Sequence, residues 1–179
     1  GIPYTHSGVL ASALAMNKQK AREIFNSKGL PVANGFIMQS DELKGYHPMN
    51  VPYVIKPNNE GSSVGVHIIE NISKKPPSLK KTMPKLVLVE EFIPGRELTV
   101  TIMGKKALEV TEIEAPTWYD FRAKYEIGGS KHITPAKIPK NIRANCMTYA
   151  LEAHKALDCK GITRVDFRWN ETLGAEGLV

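Results

Sequence analysis

"VIKPNNEGSSVGV", residues 54–66, joins two apolar runs through a polar turn bracketed by glycines. "PYVIK" (52–56) and "GVHIIE" (65–70) on either side read as strands. Gly61 and Gly65 permit backbone angles that other residues resist. The N–H groups of Ser62, Ser63 and Val64 are then placed to converge on an anion, and Lys56 at its strand end adds a point charge. The stretch is not a Walker P-loop, because Val66 stands after Gly65 where that motif needs lysine. Nor is it a GxGxxG fingerprint. Composition by itself leaves a phosphate cradle and a plain turn evenly open.

The flanking sequence sets the fold class. Residues 17–28, "NKQKAREIFNSK", read as a helix capped by Asn17 and ended by Gly29, with Ala21, Ile24, Phe25 and Lys28 on one face. "ANGFIMQ" (33–39) is a short strand, and Ser40-Asp41-Glu42 begins a helical turn. "LVLVEEF" (86–92) is a nearly continuous apolar run, hence a buried strand. "ELTVTIMG" and "KALEVTEIE" form a hairpin around Gly104-Lys105. Residues 115–139 have no clean period and are rich in Gly, Pro and aromatics, the pattern of a functional loop or lid. Residues 139–158 follow as a helix, with Ile142, Cys146, Tyr149, Ala150, Ala153 and Leu157 on one face, and "GITRVDFRW" (161–169) is a last strand. Mixed order without strict βαβ alternation predicts an α+β protein with two lobes.

Composition narrows the function classes. The 179 residues carry 42% hydrophobic and 23% charged side chains, ordinary for a globular protein. No apolar run approaches the ~20 residues needed to cross a bilayer. The opening residues lack the basic leader of a secretory signal. Cys146 and Cys159 have no CxxC spacing and read as reduced cytoplasmic thiols, and the five histidines show no metal-ligand spacing. A net charge of +6 suits anionic partners. The basic residues are scattered apart from "SKKPPSLKKTMPK" (73–85), which reads as a solvated edge. A basic nucleic-acid-binding module is therefore the competing class, weakened by the scatter of charge and the 7% aromatic content.

Other residue sets carry chemistry, each with a plain alternative. Glu90 and Glu91 end a buried strand, and Glu97 follows Pro94-Gly95. Carboxylates there can accept ribose hydroxyls or be solvated strand-end acids. Arg164 and Asp166 are two apart on a strand and share a face, as a salt bridge or as a charge stabiliser and magnesium ligand. Lys124 and Tyr125 lie in the long loop, as surface residues or as a lid lowering a cation and a hydroxyl onto substrate.

"YTHSGVLASALAMNK", "YVIKPNNEGSSVGV", "LVEEFIPGRELTV", "WYDFRAKY" and "CKGITRVDF", in this order, resemble the D-alanine–D-alanine ligase family of ATP-grasp enzymes over nearly the whole chain. The resemblance implies two ATP-grasp lobes, each a mostly antiparallel sheet with helices and the nucleotide between them. It implies a linker at 1–16 from an absent N-terminal domain, a small lobe at 17–93, and a truncated large lobe at 94–179 with the lid at 115–139. Lys18 and Lys56 would hold ATP phosphates under a cover of Gly61, Ser63 and Val64, with Ser62 at its substrate end. Glu90 would sit at the adenine hinge, the Glu91 and Ile93 backbone would meet the base, and Glu97 the ribose. Lys124 would reach the γ-phosphate, Tyr125 would bond the loop serine, and Arg164 would face the reacting carboxylate. Asp166 would be the first ligand of two Mg²⁺ ions, with Mn²⁺ as a substitute. In the family these parts make D-alanyl-D-alanine for peptidoglycan in the cytoplasm, in a homodimer without nucleic-acid or membrane partners. By the same resemblance, Tyr125 would favour an amine nucleophile over D-lactate. The chain reads as a fragment, without the family's N-terminal domain and second metal-binding strand, and is expected to bind ATP weakly and not to turn over alone. Within the fold class, an ATP-grasp ligase for another carboxylate is the alternative.

Overall fold

The structure is a computed structural model that describes residues 2–43, 45–73, 84–115 and 129–179. Helix α1 (Val9–Met16) runs into α2 (Lys18–Ser27) through one shared residue. The Asn17 N–H closes α1 on the Ala13 carbonyl, and its side chain accepts the Lys20 N–H as the cap of α2. Residues 1–16 were expected as a linker, yet half of that stretch is helix packed on α2. "VLASALAM" is made of strong helix formers but is apolar all round, so it shows no amphipathic period. The preceding residues are tied to the far end of the chain: Ser7 Oγ donates to the Lys160 carbonyl, and the Thr5 carbonyl accepts the Ile162 N–H.

Among the described residues, two four-stranded antiparallel sheets follow. The first contains β1 (Gly35–Gln39), β2 (Tyr53–Pro57), β3 (His67–Ile69) and β4 (Leu86–Glu91), in the order β1-β4-β2-β3. Its core is Tyr53, Ile55, Ile69, Val87 and Val89 with Leu43. The second contains β5 (Arg96–Met103), β6 (Lys106–Glu114), β7 (Lys131–Ile133) and β8 (Ile162–Trp169), in the order β7-β6-β5-β8. Helix α3 (Lys140–Ala156) covers one of its faces, pressing Ile142, Cys146 and Ala150 onto Leu98, Val100, Ile102 and Phe167. Burying each large side chain there contributes about 1.5–3 kcal/mol. Residues 92–95 connect the sheets.

The irregular loop expected over 115–139 is shorter among the described residues. Lys131–Ile133 pairs with β6, and the Ala136 N–H bonds the Val110 carbonyl. A three-residue edge strand has no period to detect, so the sequence alone predicts a loop there. Lys124 and Tyr125, and most of the basic run at 73–85, fall outside the described residues.

Candidate nucleotide site between the sheets

A cavity of about 490 Å³ lies between the two sheets, within the range of small-molecule sites. Lys18, Lys56, Gly61, Ser62, Ser63, Val64, Glu90, Glu91, Ile93, Glu97 and Asp166 all line it. Arg164 stands beside it, joined to Asp166.

Strand register explains the cationic end. Val54 pairs with Glu90 and Lys56 with Leu88, so Lys56 and Glu90 are diagonal neighbours on one face of the sheet. Lys56 Nζ donates to Glu90 Oε1, and Arg22 Nη1 donates to Oε2 at 3.1 Å. Arg22 Nη2 also reaches the Ala33 carbonyl at 2.6 Å. Arg22 comes from α2 and lines the cavity, and its position far from the other motifs gave no signal in the sequence.

Lys18 opens α2, and its Nζ donates to the Glu60 carbonyl. Burial, with nearby Lys56, lowers its ammonium pKa to about 8, while Glu90 and Glu60 pull the other way. The positive end of α2 is already occupied. The Lys18 N–H donates to the Asn58 carbonyl at 3.0 Å, and the Gln19 N–H to Asn58 Oδ1 at 2.9 Å. Asn58, only 1% exposed, thus anchors the opening turn to the helix. The Lys18 and Gln19 N–H groups are therefore taken, which leaves cationic side chains such as Lys18 and Lys56 to meet an anion in the cavity.

The glycine-bracketed turn differs from its expected form. Ser62 (φ 51°), Ser63 (φ 59°) and Gly65 (φ 69°) are left-handed, whereas Gly61 is not. A Cβ at Gly61 would meet open space. The Val64 N–H bonds the Gly61 carbonyl at 3.0 Å, so it closes the turn instead of pointing to a shared anion. Serine tolerates the left-handed region at some cost, which marks this turn as strained.

The connector forms the other wall. The Glu91 N–H donates to the Asn34 carbonyl and the Phe92 N–H to the Pro52 carbonyl. The Ile93 carbonyl accepts from Arg168 Nε at 3.1 Å. Arg168 also lies 3.5 Å from the Glu97 carboxylate, its register partner in β5. The sequence reading passed over Arg168, since an arginine in a strand carries no signal of its own. Glu97, Thr99 and Thr101 on β5 face Arg168, Asp166 and Arg164 on β8. Thr99 Oγ1 donates to Asp166 Oδ1 at 2.7 Å, and Arg164 grips both carboxylate oxygens at 2.9 and 3.0 Å.

That arrangement can neutralise phosphate with Lys18 and Lys56 and offer a base-sized apolar space lined by Val54, Leu88 and Phe25. It does not make a metal cage. Asp166 is engaged by Arg164 and Thr99, and among the described residues no three acidic, histidine or cysteine side chains group to hold an ion. A hard divalent cation needs about six oxygens, and the described residues alone do not supply them for a resident magnesium pair, so phosphate and water oxygens would have to make up most of any shell.

A family model described as the C-terminus of D-ala D-ala ligase matches residues 24–175. A D-alanine–D-alanine ligase of Roseobacter denitrificans is 54% identical over 179 residues, all of this chain and 56% of the relative. One from Cereibacter sphaeroides is 55% identical over 178 residues, 99% of this chain and 58% of the relative. Among solved structures, the D-alanine–D-alanine ligase of Bacillus anthracis superposes with a TM-score of 0.73 at 28% identity, covering 96% of this chain and 58% of that one. A D-Ala:D-Ser ligase of Enterococcus faecalis gives 0.74 at 26%, covering 96% and 53%. The chain thus spans a little over half the length of the curated relatives it matches.

Proposed function

The chain belongs to the D-alanine–D-alanine ligase family, and from that membership we propose that it carries the nucleotide site of an ATP-dependent ligase that joins two D-alanines. The observation that supports this most is the meeting of two lysines, the 61–65 turn, the 92–95 connector and Glu97 around one cavity between two sheets.

In the proposed reaction a D-alanine carboxylate oxygen attacks the γ-phosphorus of ATP, giving an acyl phosphate and ADP. The amine of a second D-alanine then attacks the acyl carbon, loses a proton, and inorganic phosphate leaves. Both steps crowd negative charge, which fixed cations in a dry site stabilise. Lys18 and Lys56 take the phosphate charge, under the cover of Gly61, Ser63 and Val64. The Glu91 and Ile93 backbone meets the base beside Glu90, and Glu97 holds the ribose. Ser62 with Tyr125, and Lys124 toward the γ-phosphate, close the site from the loops. Arg164 steers the reacting carboxylate. Asp166 would offer one carboxylate to magnesium, and the described residues alone do not complete an oxygen shell around such an ion. The product suits cytoplasmic synthesis of peptidoglycan precursors, by a homodimer. Among the described residues no helix is long and apolar enough to cross a membrane.

Two experiments test the reading. The whole protein, given ATP and a panel of amino acids, is expected to release phosphate only with D-alanine. Stimulation by a different carboxylate, with D-alanine inert, would overturn the substrate. The 179-residue chain alone is expected to bind ATP weakly without turnover. Salt-sensitive oligonucleotide binding that ATP does not displace would instead favour a nucleic-acid module.

A further inference from the structure

The connector between the sheets cannot hold itself in place. Pro94 has no N–H, and Gly95 sits at φ +104° with the Trp169 carbonyl so close that a Cβ would fall 2.2 Å from it. The missing donors come from one side chain across the cavity wall. Arg168 Nε donates to the Ile93 carbonyl at 3.1 Å, and Nη2 donates to the Gly95 carbonyl at 2.9 Å. Nη1 lies 3.5 Å from Glu97 Oε2, and Cζ lies 5.8 Å from the centre of the Phe92 ring. One guanidinium therefore touches three of the four connector residues and the first acidic residue of β5. Its backbone is itself locked, with the Arg168 N–H and carbonyl paired to Val179.

We infer that Arg168 is a positioning residue for the nucleoside, holding the base-facing connector and the Glu97 carboxylate in one orientation toward the cavity. The inference rests on the nucleotide reading above and adds a residue that reading does not contain. A planar fork suits this task, because its donors lie at fixed angles and reach two carbonyls and a carboxylate at once. Lysine, with one compact ammonium, can neutralise Glu97 but cannot bridge both carbonyls. The guanidinium contacts the connector and Glu97, whereas Lys56 is paired with Glu90 and Lys18 with the Glu60 carbonyl. Its loss should therefore weaken nucleoside recognition much more than phosphate recognition.

The test compares wild type, Arg168→Met and Arg168→Lys in the 179-residue chain, with ligand-observed NMR titrations of ATP, adenosine and inorganic tripolyphosphate, and thermal melting as the control for folding. Arg168→Met is expected to raise the dissociation constants of ATP and adenosine about tenfold, the loss of a charge-assisted contact set. Tripolyphosphate affinity should move by no more than about twofold, since its cations are untouched. Arg168→Lys should fall between, and it decides the matter if the methionine variant does not fold. Unchanged adenosine affinity in a folded variant, or equal losses for all three ligands, would overturn the inference while leaving the nucleotide reading intact. If wild type binds neither ATP nor adenosine, the nucleotide reading itself falls.

Discussion

Lys56 and Glu90 form an ion pair across β2 and β4 inside the cavity, and Arg22 grips the second oxygen of the same carboxylate. One half-buried anion thus balances two cations, with side-chain exposures of 26% for Lys56, 16% for Arg22 and 13% for Glu90. Replacing Glu90 with Gln keeps the shape but leaves both cations facing a neutral amide. The unfolding free energy is expected to drop by about 1–3 kcal/mol. A urea midpoint unchanged from wild type would show that water screens the trio as it does a surface pair.

Lys18 gives the cavity a pH response with two opposite signs. Its pKa is lowered from 10.5 to about 8 by burial and by Lys56. A bound polyphosphate favours the ammonium, so ATP affinity is expected to fall as pH rises through about 8, with proton uptake on binding near that pH. Stability runs the other way. Between about 8 and 10.5 the folded chain holds fewer protons than the unfolded chain, so this group raises the unfolding free energy as pH climbs. Titration calorimetry in two buffers of different ionisation enthalpy measures the uptake. A Lys18→Met variant with the same pH profile as wild type would assign the response elsewhere.

How much was legible in the sequence depends on whether the signal was local. Helix α2 and the β5–β6 hairpin follow from caps, a turn and clear periodicity, and the structure places them at Lys18–Ser27 and Arg96–Glu114. Helix α1 was hidden because its apolar residues surround the axis, and β7 because three residues define no period. Glycines advertised the 61–65 turn, but the chain gives two of its left-handed positions to Ser62 and Ser63. Arg22 and Arg168 needed the fold. Only the placement of α2 beside β4 brings residue 22 to 90, and only the register of β5 against β8 brings residue 168 to 97.

The two thiols should differ sharply in reactivity. Cys146 is fully buried in the core under α3, and burial pushes its thiol up to about 12. Cys159 lies just beyond α3 and is partly exposed. A thiolate is the reactive species, so a disulfide reagent at pH 8 is expected to label Cys159 in the native chain and Cys146 only in denaturant. Peptide mass mapping reads the site. Equal labelling rates under native conditions would mean that α3 opens readily from the second sheet.

Two glycines separate backbone necessity from composition. At Gly95 the left-handed φ of +104° and the Trp169 carbonyl leave no room for a methyl group. Gly95→Ala is expected to lose about 2–4 kcal/mol of stability, because the connector must pull away from β8 to relieve the clash. The same movement takes the Gly95 carbonyl from Arg168, so ATP affinity should fall with stability. Gly61 meets nothing within 4 Å and does not lie in the left-handed region. Gly61→Ala should leave the unfolding free energy unchanged or raise it by up to about 1 kcal/mol, through a less flexible unfolded chain. Any loss of ATP binding in Gly61→Ala would then report a conformation reached only with nucleotide present, in which residue 61 needs the freedom of glycine. Equal destabilisation by the two substitutions would show that the space and backbone angle at each glycine do not set its cost.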